Sequence, residues 1–114
     1  MFQPPAVSFS HMGLYVANIA RQERFFTQFL GFTVTDRGSL PTPNGPVQLV
    51  FLSRVPDEHH QMVLATGRPA DLGFNTVNQL SFRVADLASL RVFFNALQQA
   101  PWRDHVTIHH DAGD

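Results

Sequence analysis

Histidines and a few amides carry most of the chemistry open to this chain, because among its 114 residues there is no cysteine. The absence excludes disulfides, thiolate nucleophiles and Cys-ligated zinc. The first candidate is His11, in the stretch Ser8-Phe9-Ser10-His11-Met12-Gly13-Leu14-Tyr15-Val16. Alternate residues of a strand face opposite sides. Met12, Leu14 and Val16 then share an apolar face, and His11, Gly13 and Tyr15 share a smaller, more polar one. That pairing suggests the lining of a cavity, the alternative being an imidazole satisfied at the surface. Tyr15 either hydrogen-bonds a substrate or fills the cavity wall. Two further clusters are His59-His60-Gln61, at the head of another apolar run, and His109-His110-Asp111, near the end of the chain.

Composition narrows the function classes. One domain, spanning 1–114, is the expectation for this length. Hydrophobic residues make up 44%, enough for a real core, and eleven Phe make that core aromatic-rich. The formal net charge is −1 and there is no basic run, which argues against a nucleic-acid partner. No apolar run approaches the ~20 residues that span a bilayer, so no membrane partner is expected. No charged n-region with an apolar h-region opens the chain. A cytoplasmic protein is the expectation.

Two strand–helix units must position these residues. Asn18 is a good N-cap, followed by Ile19, Gln22, Phe25, Phe26, Phe29 and Leu30 at helical spacing. Gly31 closes that helix. Strands are expected at 32–35, 47–52 and 59–65, with a Pro- and Gly-rich loop or hairpin connection at 38–46. Then the order begins again. Asn78 to Val84 reads as a strand, Asp86 as an N-cap, and Leu87, Leu90, Phe93, Phe94 and Leu97 as a helix stripe that Pro101 stops. Thr107 to His109 would start the next strand. A shift of 68 positions lays Val16 on Val84, Ala17 on Ala85, Ala20 on Ala88, Phe25 on Phe93 and Phe26 on Phe94. It also lays Asn18 on Asp86, and His11 on Gln79.

The result is a βαβββ module over about 8–67 and a partial second module over about 74–114. Relative to the first, the second lacks about 20 to 25 residues, roughly two strands. An incomplete sheet leaves an open edge. That edge is expected to be covered by another copy of the chain, as a homodimer, or to be left ragged by truncation.

The paired modules, the His in the first strand and the polar-headed fourth strand resemble the vicinal oxygen chelate superfamily. This superfamily includes glyoxalase I, bleomycin-resistance proteins, methylmalonyl-CoA epimerase and extradiol dioxygenases. The resemblance runs from Phe9 to about His110. It implies an α+β fold in which paired βαβββ modules form a U-shaped mixed sheet around a cavity, with helices outside. It also implies a divalent metal ion (Fe, Mn, Zn or Ni) held by residues of the first and fourth strands of each module.

Carried over, the ligand positions are His11, Gln79 and one or more of His59, His60 and Gln61. Strand parity puts His59 and Gln61 on the side of His11. A bulge after Pro56 would put His60 there instead. The two His also stand open to a plain reading as solvated residues. The strand from which the family's second module usually contributes a Glu is absent here, and Gln79 departs from the iron set of two His and one Glu.

The implied activity is a metal-dependent dioxygenase, lyase or isomerase acting on a small substrate with vicinal oxygens. The ion would act as a Lewis acid or support ring cleavage by O₂. His110 would assist proton transfer, or belong to a frayed terminus. The other reading is a protein of the bleomycin-resistance type, which sequesters a small molecule without chemistry.

Overall fold

The structure, a computed structural model, describes residues 1–101 and 103–105. The expected strand start at Thr107 and the cluster His109-His110-Asp111 lie outside these residues. Contacts divide the chain into two compact units, Met1–Asp71 and Leu72–Asp114.

The first unit is α+β. Strand β1 (Met12–Tyr15) leads into helix α1 (Ile19–Arg24), which continues as a π-helical turn over Phe25–Phe29. Strands β2 (Thr33–Leu40), β3 (Val47–Ser53) and β4 (Met62–Ala65) follow. They form one open mixed sheet in the order β1-β4-β3-β2. β1 lies parallel to β4, while β3 is antiparallel to both β4 and β2. This is one complete βαβββ module.

Local chemistry sets the helix ends. The Asn18 side chain accepts a hydrogen bond from the Arg21 backbone N–H at 3.0 Å, satisfying one of the free donors of the first turn. Gly31 ends the segment at φ +75°, a left-handed conformation that L side chains rarely adopt. The π turn is recorded by the bond from Leu30 N–H to Phe25 O at 3.3 Å. It carries Phe26, 2% exposed, into the core against Phe32, ring centroids 5.5 Å apart.

The core lies on one face of the sheet. Val16, Phe26, Phe32, Val50, Leu52, Met62 and Leu64 are buried together, with Met12 and Leu14 packed against them. Met12, Leu14 and Val16 thus face the helix, as the alternation in the first strand predicts. A salt bridge ties α1 to β2. Both Arg37 nitrogens donate to the Glu23 carboxylate, at 2.7 and 3.0 Å. The hydrogen bond from Arg37 holds the Glu23 carboxyl below its usual range. Because Arg37 is largely exposed, the pair adds little beyond fixing the middle of the strand against the helix.

The second unit contains helix α2 (Leu87–Gln98) and a single 3₁₀ turn, Arg103–His105. Asp86 caps α2, accepting from the Ser89 backbone N–H at 2.8 Å. The hydrogen bonds from Ser89 keep its carboxyl below the usual range. Leu97 is buried and Leu90 and Phe93 are half-buried, but Leu87 and Phe94 are exposed. The expected strand over Asn78–Val84 is not formed. A strand exists only where ladder partners satisfy its backbone groups, and among the described residues this stretch has none.

The core analysis predicts that Leu64→Ala destabilises the first unit by about 2 to 5 kcal/mol, since Leu64 is 0% exposed. Asn18→Ala should cost about 1 kcal/mol. Urea unfolding followed by tryptophan-independent far-UV CD checks both values.

Candidate functional site

The site is built where β1 and β4 run side by side. Met12 pairs with Met62 in parallel register, and the Met12 N–H donates to Gln61 O at 3.0 Å. His11, just before β1, and His60, two residues before β4, are thereby brought together although 49 positions separate them in the sequence. Their rings meet edge to face, with centroids 4.4 Å apart and planes at 71°. Phe51 of β3 lies against His60 at 5.1 Å. It pairs with Val63, and both belong to the face opposite the core.

His59 extends the cluster. Its Nδ1 lies 2.9 Å from Nδ1 of His60. Two imidazole nitrogens at that distance need one N–H and one lone pair between them, so the two rings cannot both be imidazolium. Nε2 of His59 is 3.5 Å from Oδ2 of Asp36, both groups being more than half exposed. Ser10 Oγ and His11 Nδ1 are hydrogen-bonded at 2.9 Å. Partial burial, then the nearby His11 and His59, push the His60 imidazole below its ordinary value, against a smaller opposing effect of Glu58.

The structure revises the parity argument for this strand head. β4 begins at Met62, so the two-residue alternation does not extend back to 59–61. His60, not His59, is the ring against His11, and His59 packs on His60 and Phe51. Gln61 is turned elsewhere. Its Oε1 accepts the Arg54 backbone N–H at 2.8 Å and so serves the β3–β4 connection. Gln79 belongs to the second unit, where its Nε2 donates to Ser81 Oγ at 2.9 Å. Tyr15 is 65% exposed. His110 lies outside the described residues.

Two residues of the cluster were not foreseen, Asp36 and Phe51. Asp36 arrives through a β-bulge. Val34 pairs with Leu52, but the next pair is Asp36 with Phe51, which leaves Thr35 as the extra residue. The Thr35 hydroxyl bonds Phe51 O at 3.2 Å. Without the bulge, alternation would turn Asp36 to the helix side. Nothing in the run Phe32-Thr33-Val34-Thr35 announces the bulge. Phe51 was legible only as a strand residue.

Beside the imidazoles, the same face holds a hollow of about 250 Å³. Gly13 and Tyr15 of β1, Val63 and Ala65 of β4, and Leu49 and Val47 of β3 line it. Leu40 and Thr42 close it at the Val47 end. The Thr42 hydroxyl is used within its own turn, donating to Gly45 O. The lining is mostly apolar, with the Tyr15 ring and hydroxyl at its edge.

The module order, the imidazoles of the first and fourth strands, and the hollow on the face away from the helix agree with a family profile. The profile of the Glyoxalase/Bleomycin resistance protein/Dioxygenase superfamily matches residues 8–114. The chain belongs to this superfamily. No curated protein and no solved structure matches it.

Glyoxalase-superfamily proteins are generally metal-dependent, which makes the donor set here a direct test. Neutral imidazoles suit Zn, Ni, Fe or Mn, and His11 with His60 supplies two of them on adjacent strands. Among the described residues, however, no group of three or more His, Asp or Glu could hold an ion. Within unit 1 the two imidazoles are fewer than the three donors of a usual protein site. No helix among the described residues is long and apolar enough to cross a membrane.

Because the fold lowers the affinity of His60 for a proton, it favours the neutral ring. The stability this contributes is complete above the ordinary imidazole value of 6.5 and is lost as pH falls from there through the lower value of the folded state. In chelator-treated protein, the His60 Cε1–H resonance should titrate below 6.5, and His11→Ala should move its midpoint back up. A midpoint that ignores His11 would refute the coupling.

Proposed function

We propose that the protein is a metal-dependent enzyme of the glyoxalase and extradiol dioxygenase type, acting on a small substrate with vicinal oxygens. His11 and His60 are its metal-binding residues in the first module. The observation that carries this reading is the edge-to-face contact of the two imidazoles, 4.4 Å apart, at the head of the parallel β1–β4 pair. When bound, a divalent ion would supply Lewis acidity toward a pair of substrate oxygens.

The chain's own residues do the rest. Phe51 packs beside His60 and shields the site from water on that side. The bond between His59 and His60 orients the His60 ring, in the way an outer partner sets the direction of a ligand. Tyr15, at the rim of the hollow, offers its hydroxyl to a substrate. His59 is a partner of His60 rather than a ligand in this reading. Gln61, with its carbonyl oxygen engaged by the backbone, is set aside. Gln79 and His110 keep the roles of second-module ligand and proton carrier. The same reading carries a cytoplasmic homodimer in which the partner covers the open β1 edge.

A second reading has its own support. The apolar hollow and the lack of a three-donor group among the described residues favour a protein that sequesters a small molecule without chemistry.

Elemental analysis of the purified protein separates the two. The enzyme reading expects Fe, Mn, Ni or Zn near stoichiometric amounts, and at least a tenfold loss of metal affinity in His11→Ala and in His60→Ala. His59→Ala should lose less. Metal content indifferent to both His11 and His60 would overturn the assignment.

A further inference from the structure

The carboxylate that the bulge at Thr35 brings to the imidazoles is oriented by its own strand. Asp36 Oδ1 accepts the Arg37 backbone N–H at 2.8 Å. That bond leaves Oδ2 to face Nε2 of His59, 3.5 Å away. The neighbouring cation is turned elsewhere, with both terminal nitrogens of Arg37 bonded to Glu23.

These contacts dictate an order of hydrogens. A carboxylate only accepts, and its charge favours the His59 form that carries the hydrogen on Nε2. A neutral imidazole has one N–H, so Nδ1 of His59 then holds a lone pair. That nitrogen lies 2.9 Å from Nδ1 of His60. The hydrogen between them therefore belongs to His60, whose Nε2 keeps the lone pair. His11 is held differently. The partner of its Nδ1 is the Ser10 hydroxyl, which can donate or accept and selects neither form.

We propose that Asp36 is a positioning residue which, through His59, sets His60 in the Nδ1–H tautomer and so makes Nε2 its metal-binding atom. The inference rests on the reading of His60 as a metal-binding residue, and it adds the donor atom and the side chain that selects it. Loss of such an outer partner typically weakens metal affinity by about 10- to 100-fold. Asp36 and His59 are both more than half exposed, so solvent screening puts the effect at the lower end of that range.

Asp36→Asn is the deciding change. Its carbonyl oxygen keeps the Arg37 N–H, so its amide nitrogen takes the place of Oδ2 and offers His59 a donor. The order of hydrogens then reverses. His59 donates from Nδ1 to Nδ1 of His60, and His60 carries its hydrogen on Nε2. Asp36→Ala removes the bias without reversing it. Imidazole nitrogen NMR shifts of the chelator-treated whole chain, at a pH where the rings are neutral, read the tautomer directly. His60 should be mainly Nδ1–H in the unaltered chain, mixed in Asp36→Ala and mainly Nε2–H in Asp36→Asn. A purely structural role for Asp36 would not produce that reversal. In a His59→Ala background, Asp36→Asn should leave His60 unmoved. Calorimetric titration with Zn²⁺ should show binding about tenfold weaker in Asp36→Asn. A His60 tautomer that ignores Asp36, or Zn²⁺ affinity that falls in His60→Ala but not in Asp36→Asn, would overturn the proposal. Failure of the metal reading shows separately, as Zn²⁺ binding indifferent to His60→Ala while the tautomer order holds.

Discussion

The parallel register of β1 on β4 is the constraint from which the site follows. Met12 opposite Met62 and Leu14 opposite Leu64 place two apolar pairs on the helix side. The bonds Met12 N–H to Gln61 O and Val16 N–H to Ala65 O close the ladder at both ends. A slip by one residue would turn the whole apolar set of β1 outward. Burial of Leu64 and Val16 therefore holds His11 beside His60 without any strong interaction between the imidazoles themselves. The site borrows its precision from the core.

Around this pair the electrostatics are weak by design of the neighbourhood. The His11 and His59 imidazoles, one on each side, disfavour protonation of His60. Asp36 approaches only His59, at 3.5 Å, with both groups well exposed. Such a pair contributes little energy. The net result is a His60 ring biased toward the neutral form, which is the form that donates a lone pair to an ion.

The two units differ in how far they satisfy themselves. Unit 1 has a complete four-stranded sheet covered by α1 and its π turn. In unit 2, α2 is well capped, yet Leu87, Phe94 and Phe82 remain half exposed or more. Its expected strand lacks ladder partners among the described residues. Capping is local and needs only Asp86 and Ser89. A strand is not local, because its backbone groups are satisfied only by neighbours distant in the chain.

Much was legible in the residues alone. The N-caps Asn18 and Asp86, the end of the first helix at Gly31, the positions of β3 and α2, and the apolar side of β1 are dictated by side-chain chemistry and by the periods of helix and strand. So was the superfamily, through the order of elements and the His of the first strand. Tertiary structure alone decided which of His59 and His60 meets His11, because β4 starts at Met62 and parity has no meaning before a strand begins. It alone brought Asp36 to the cluster, through a bulge at Thr35 whose cause lies in pairing with β3. It alone withheld the strand at Asn78–Val84. In each case the deciding contact joins residues far apart in sequence, and local patterns hold no record of such contacts.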